Sequence, residues 1–318
     1  MSLSVLDQLK EHTIVVADTG DFDSIKQYSP RDATTNPSLI LKASKQDEYE
    51  ALVRDVVHQS KLNGKTDVDQ VTDHLLVQFG LSILEVVPGR VSTEVDARLS
   101  FDYHRSLEKA RTIINLYEEK GISRERILIK LATTWEGVEV SKVLEQEGIH
   151  TNMTLLFSLP QAVACALAGS QLISPFVGRI MDWHKKEYGR DFFGIEDPGV
   201  KSVIQIFNYY KKFGYPTEVM GASFRNTGEI KELVGCDLLT IGTKFLEEMQ
   251  NDFSTIEVKL NEKSAMDSPV EKMEMDESIF RFKLNEDAMA TEKLAEGIRR
   301  FSADMISLEE LLKKLITS

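Results

Sequence analysis

In the second half of the chain, short apolar runs recur, each a few residues after a glycine. Gly121 precedes ILIKL, Gly148 precedes TNMTLLF, Gly169 precedes LISPFV, Gly214 precedes TEVMGAS and Gly235 precedes LLTIG. Glycine lets a chain leave a helix through the left-handed conformation, and brief apolar runs covered on both faces are typical of parallel strands. The stretches between them have helical spacing. Leu107, Ala110, Ile114 and Tyr117 share one face before Gly121, and Ser158 with Gln161 resembles a capping box opening the helix that Gly169 ends. Three further strand candidates, IVVAD at 14–18, DATTN at 32–36 and VSTEVD at 91–96, bring the series to eight. Eight alternating units favour a (β/α)8 TIM barrel, an α/β fold closed on itself, over an open doubly wound sheet. The chain is thus expected to form one barrel domain over 1–318. Residues 251–287 are polar, acidic and weakly patterned, and are expected to be a connecting excursion. From Ala288 to Ser318, Leu294, Ile298, Phe301, Met305, Leu308, Leu312 and Leu315 alternate steps of four and three, which predicts a long amphipathic helix packed on the barrel.

Composition narrows the function classes. The 318 residues are 42% hydrophobic and 28% charged, enough for a sizeable core. No run approaches the roughly 18 apolar residues that span a bilayer, and Met1 to Lys10 lacks a basic region followed by an apolar one. The expectation is a soluble, cytoplasmic protein with no membrane partner. Cys165 and Cys236 stand apart in apolar surroundings and are expected to be packed thiols. A net charge of −13 argues against a nucleic-acid partner but not against a small anion held by a local arginine cluster. None of the six histidines has HxH or HExxH spacing, so no metal is expected.

In a barrel, chemistry belongs at the C-terminal ends of the strands. Polar residues gather there: Asp18, Thr34 with Asn36, Glu94 with Asp96, Lys130, Asn152 with Thr154, Ser174, and Ser223 with Arg225. Lys130 interrupts the apolar run Ile127, Leu128, Ile129 and Leu131. Burial favours the neutral amine of a lysine, the form that attacks a carbonyl, although a lone strand lysine more often snorkels or pairs with a carboxylate. Its neighbours tip the balance. Cleaving a carbon–carbon bond beside a ketone needs an electron sink, which a lysine iminium supplies, and separate acid–base groups, for which Asp18 and Glu94 are available. Arg179 in PFVGR and Arg225 in GASFRN follow neighbouring strands, where they suit a phosphate, though either alone could be a surface ion-pair member.

VVADTGDF, DATTNPSLIL, VPGRVSTEVDARLS, ILIKLATTWEG, TNMTLLFS, LISPFVGRI, EDPGV, VMGASFRN and KLAEGIRRF, in that order, resemble the transaldolases nearly throughout the chain. The resemblance implies a homodimeric, cofactor-free transferase acting on sugar phosphates in the non-oxidative pentose phosphate pathway. By it Lys130 is the Schiff-base lysine, Asp18 the base on the substrate C4 hydroxyl, and Glu94 the acid/base acting through a water that Thr154 helps hold. Asn36, Asn152 and Ser174 fall to the hydroxyls of the dihydroxyacetone moiety, Thr34 and Phe176 to the substrate site beside them, and Ser223, Arg179 and Arg225 to the phosphate. Fructose-6-phosphate aldolases share the Schiff-base lysine but are much shorter, and they carry Gln and Tyr where this chain has Glu94 and Phe176.

Other classes fit less well. VVADTG has the form of an aspartic peptidase motif, but that chemistry needs a second Asp-Thr-Gly or Asp-Ser-Gly, and the chain has none. GxGxxG, the P-loop pattern and GxSxG are absent. A non-catalytic sugar-phosphate binder would explain the arginines but not a buried lysine flanked by carboxylates.

Overall fold

In the computed structural model, residues 3–317 are described. Eight parallel strands close in sequential order into a barrel: β1 (Ile14–Asp18), β2 (Asp32–Thr34), β3 (Val91–Glu94), β4 (Ile127–Ala132), β5 (Thr151–Leu156), β6 (Leu172–Pro175), β7 (Glu218–Gly221) and β8 (Leu238–Ile241). β8 returns to β1 in the register Ile14↔Leu238 to Ala17↔Ile241. The five punctuating glycines all take the left-handed conformation, with φ from 69° to 98°. Gly235 is doubly constrained, because a Cβ there would lie 2.1 Å from the Leu260 carbonyl oxygen.

The two-residue strand period sorts the side chains. Val15, Ala17, Ile127, Ile129, Met153, Ile173, Val219, Leu239 and Ile241 join the main core with the surrounding helices. The opposite parity supplies a separate cluster of Val16, Leu128, Leu172, Met220 and Leu238, which plugs the barrel interior. Two residues further along β1, β4, β6 and β8 stand Asp18, Lys130, Ser174 and Thr240, with Ala222 just past the end of β7. The interior is therefore apolar below and mostly polar above.

Some local expectations change. Gln161 does not close a capping box with Ser158: its Oε1 accepts from Phe157 N at 2.9 Å, and its Nε2 donates to the Thr133 and Leu155 carbonyls. Ser158 occupies the N-cap position without a side-chain capping bond. The glutamine instead ties the ends of β4 and β5 together. The 251–287 excursion contains two helices, Glu262–Met266 and Glu277–Glu286, anchored by single buried residues such as Ala265 and Phe280, too sparse to give a period. Between β2 and β3 lie three helices, Pro37–Ala43, Asp47–Leu62 and Val68–Leu84. The last helix runs from Ala288 to Thr317, and Ser318 lies outside the described residues. Its buried stripe of Leu294, Ile298, Phe301, Met305, Leu308 and Leu312 seats it on the Pro37–Ala43, Val68–Leu84 and Gly178–Tyr188 helices and on β5. Gly297 lets it approach closely, since a Cβ there would come within 2.6 Å of Leu155. Both cysteines are buried and unpaired. Among the described residues no helix is long and apolar enough to cross a membrane.

Candidate active site

Lys130 is the fourth residue of β4 and only 5% exposed. Its Nζ donates to the Thr35 carbonyl at 3.0 Å and lies 3.1 Å from Glu94 Oε2, on the residue that faces it in register across β3 and β4. Asp18 ends β1 beside Thr34 of β2, and its Oδ1 accepts from Thr34 Oγ1 at 3.0 Å. Burial pushes both carboxyls above their ordinary range, opposed chiefly by the positive charge of Lys130. Carboxyls so placed bind a proton more readily than exposed ones, which suits acid–base work. Glu94 Oε2 is not aligned with Nζ for a hydrogen bond. Like Thr154 Oγ1, it is buried without a hydrogen-bond partner among the described residues. One such atom 3.1 Å from the lysine nitrogen, and another on a residue lining the same cavity as that lysine, suit a bridging water.

β5 and β6 contribute a second polar group. Ser174 Oγ donates to Asn152 Oδ1 at 2.5 Å, and Asn152 Nδ2 donates to Ser92 Oγ at 3.0 Å. Asn152 faces Lys130 in register. Asn36 spends its side-chain oxygen capping the Pro37–Ala43 helix through Leu39 N, which leaves its amide NH2 for a ligand. Asp18, Thr34, Asn36, Lys130, Thr154, Ser174, Phe176, Arg179 and Ser223 line one cavity, joined by Ala222, Thr240 and Phe301. Glu94 and Asn152 stand behind that wall, in contact with Lys130 and Ser174.

The arginines are not equivalent. Arg179, the second residue of the Gly178–Tyr188 helix, lies 4.8 Å from the Phe176 ring centroid and 5.4 Å from that of Phe301. It has no ion-pair partner among the described residues, and burial, followed by the like charges of Arg300 and Arg225, lowers it to about 10. A guanidinium so placed favours an anion. Arg225 is exposed and already engaged: Nη2 and Nε reach Asp182 Oδ2 at 2.8 and 3.0 Å. A phosphate would share it with that carboxylate. Ser223, with φ of 63°, accepts from Gly178 N at 2.9 Å through its carbonyl. This brings the loop after β7 onto the helix start so closely that a Cβ on Gly178 would lie 2.5 Å from the Ser223 oxygen.

Over residues 15–312 the chain matches the family described as Transaldolase/Fructose-6-phosphate aldolase. It belongs to that family. Members are aldolase/transaldolase-type enzymes, and a buried lysine between two carboxylates, open to a cavity with a free arginine, suits that chemistry.

Sequence reasoning missed several groups around Lys130. Thr240 supplies β8 with the interior hydroxyl that strand otherwise lacks, and its place two residues after Leu238 was the available signal. Ser92 stands two residues before Glu94 by the same parity. Phe301 and Arg300 come from the C-terminal helix, whose packing on the barrel was expected, but the pattern did not show that Phe301 lines the cavity or that Arg300 lies near Arg179.

Proposed function

We propose that this family member is a transaldolase, moving a dihydroxyacetone unit from sedoheptulose 7-phosphate to glyceraldehyde 3-phosphate. What supports a transferase over a simple aldolase is the wall beside Lys130. Phe176 lines the cavity with a ring packed 5.3 Å from Phe157, and it has no hydroxyl with which to hold water at the imine.

In this reading the Lys130 amine, its proton passed to Glu94, attacks the C2 ketone. The carbinolamine loses its hydroxyl as water, protonated through Glu94, and an iminium forms. Asp18 then takes the C4 hydroxyl proton, and the electrons of the C3–C4 bond move into the iminium. Erythrose 4-phosphate leaves as the aldehyde and an enamine remains on Lys130. Glyceraldehyde 3-phosphate accepts the enamine carbon while Asp18 returns its proton, and hydrolysis of the new iminium frees fructose 6-phosphate. Asn36 and Ser174 hold the three-carbon unit, and Asn152 supports it from behind through Ser174. Arg179, Arg225 and Ser223 hold the phosphate. The deciding experiment is a coupled assay for erythrose 4-phosphate from sedoheptulose 7-phosphate, run with and without acceptor on the parent and on Lys130→Ala. Sustained formation, beyond one equivalent per enzyme, that needs both the acceptor and Lys130 is expected. Rapid release of free dihydroxyacetone by the parent would instead indicate a fructose-6-phosphate aldolase, and no turnover at all a sugar-phosphate binder.

A further inference from the structure

Thr240 makes one side-chain hydrogen bond among the described residues, and it is to a neighbour of the proposed base. It is 4% exposed in the interior of β8, and its Oγ1 lies 2.7 Å from Thr34 Oγ1. Thr34 Oγ1 lies in turn 3.0 Å from Asp18 Oδ1. A threonine hydroxyl has one proton to give. While Asp18 is ionised, Thr34 must spend its proton on the carboxylate, so in the 2.7 Å contact Thr240 is the donor. The chain therefore has a fixed sense, Thr240 to Thr34 to Asp18, whenever the carboxylate is charged.

We infer that Thr240 is a positioning residue for the transfer reaction, acting through Thr34 to hold Asp18 as an oriented carboxylate. This rests on the transaldolase reading and adds a residue to it. When Asp18 takes the C4 hydroxyl proton on Oδ2, Oδ1 remains an acceptor for Thr34 but a neutral and weaker one. The bonds along the chain therefore stabilise the charged carboxylate more than the neutral acid, which opposes the burial that pushes the Asp18 carboxyl up. The contact also pins Oδ1, leaving Oδ2 to meet the substrate hydroxyl. β1 lies between β2 and β8, with Asp18 opposite Thr34 and Val16 opposite Thr240, so the backbone register sets the three groups together.

The test is Thr240→Val, which keeps the volume and removes the hydroxyl. The kcat for dihydroxyacetone transfer is expected to fall about two- to tenfold, the range of one hydrogen bond, with the acceptor KM unchanged. Asp18 acts as the ionised form, so activity is lost as pH falls through its pKa. Removing a donor raises that pKa, and the acid limb of kcat/KM should move to higher pH. Borohydride trapping with fructose 6-phosphate should persist, because Lys130 is untouched. Thr240→Ser retains the hydroxyl and should return the limb to the parent position. If Thr240→Val does not fold, Thr240→Cys, with its weaker donor, carries the same expectation. A valine variant with the parent's kcat and acid limb would overturn the proposal, and so would a serine variant displaced as far as valine. Failure of the parent to be trapped or to transfer would count against the transaldolase reading instead.

Discussion

Replacing Arg179 by methionine removes a guanidinium but keeps a long apolar stem between two rings, and it should make the ligand-free protein more stable. Arg179 is held at about 10 against its usual 12.5, chiefly by burial and then by Arg300 and Arg225. A cation with a lowered pKa is disfavoured in the fold at every pH below that value. At neutral pH the cost is therefore fully present, on the order of 3 kcal/mol. Against it stand the contacts with Phe176 and Phe301 at 4.8 and 5.4 Å, each worth about 0.5–1 kcal/mol and partly kept by a thioether beside aromatic rings. The balance is a gain of about 1–2 kcal/mol, read as a higher urea midpoint with an unchanged slope. A phosphorylated sugar reverses the order. Pairing with Arg179 removes the penalty, so fructose 6-phosphate at about 100 times its dissociation constant should stabilise the parent by about 2.7 kcal/mol and the variant, at the same concentration, by far less. Fructose without phosphate should not distinguish the two proteins. A methionine variant less stable than the parent, and equally stabilised by fructose 6-phosphate, would refute the assignment of Arg179 to an anion.

Thr154→Val removes a buried hydroxyl that has no hydrogen-bond partner among the described residues. Stability should hold to within about 1 kcal/mol, while turnover drops about 100-fold or more if the hydroxyl positions the acid–base water; a large loss of stability would give it a structural role. Burial pushes Glu229 up from 4.5 to about 7, with Asp197 and Asp182 adding to the rise and the Arg225 backbone N–H and charge opposing it. A raised carboxyl contributes stability that is complete below its usual value and lost as pH rises through the folded one. Glu229→Gln should therefore flatten the decline in unfolding free energy between about pH 4.5 and 7, and an unchanged pH profile would count against it. Phe176→Tyr places a phenol near the imine and should raise release of free dihydroxyacetone from fructose 6-phosphate without acceptor; an unchanged trace would remove the ring from any role in excluding water.

The barrel was legible because parallel strands and their glycine exits leave strong local marks, and all eight strand candidates contain a strand. Lys130 was legible for the opposite reason, as a charge in an apolar run needs an explanation. What stayed hidden depends on distance in sequence. Asp182, which engages Arg225 43 residues on, and Gln161, one of whose bonds reaches the Thr133 carbonyl 28 residues back, act through contacts that a pattern of types cannot foresee. Thr34 suited a substrate contact in sequence, but its hydroxyl lies between Asp18 and Thr240. Asn36 is both a cavity-lining residue and a helix cap. The structural and functional readings of such a residue are therefore compatible, and only the geometry shows which atom serves which.

Charge accounting explains why this chemistry suits a buried interior. Before cleavage the proposed reaction holds an iminium cation on Lys130 and an ionised Asp18. When the C3–C4 bond breaks, the cation becomes a neutral enamine as Asp18 becomes a neutral acid, so one pair of opposite charges disappears in a single step. Water would have stabilised the separated charges and opposed the step; an apolar plug of Val16, Leu128, Leu172, Met220 and Leu238 lies directly beneath instead. The same burial that pushes the Asp18 and Glu94 carboxyls up makes each a willing proton acceptor. Too much burial would protonate Asp18 before substrate arrived. The opposing influences of Lys130, Thr34 and Arg179 hold that tendency in check. The rate of the cleavage step should then respond in opposite senses to two changes. Weakening the donors to Asp18 should raise the pH at which the base becomes available, and making the plug more polar should slow the collapse of charge itself.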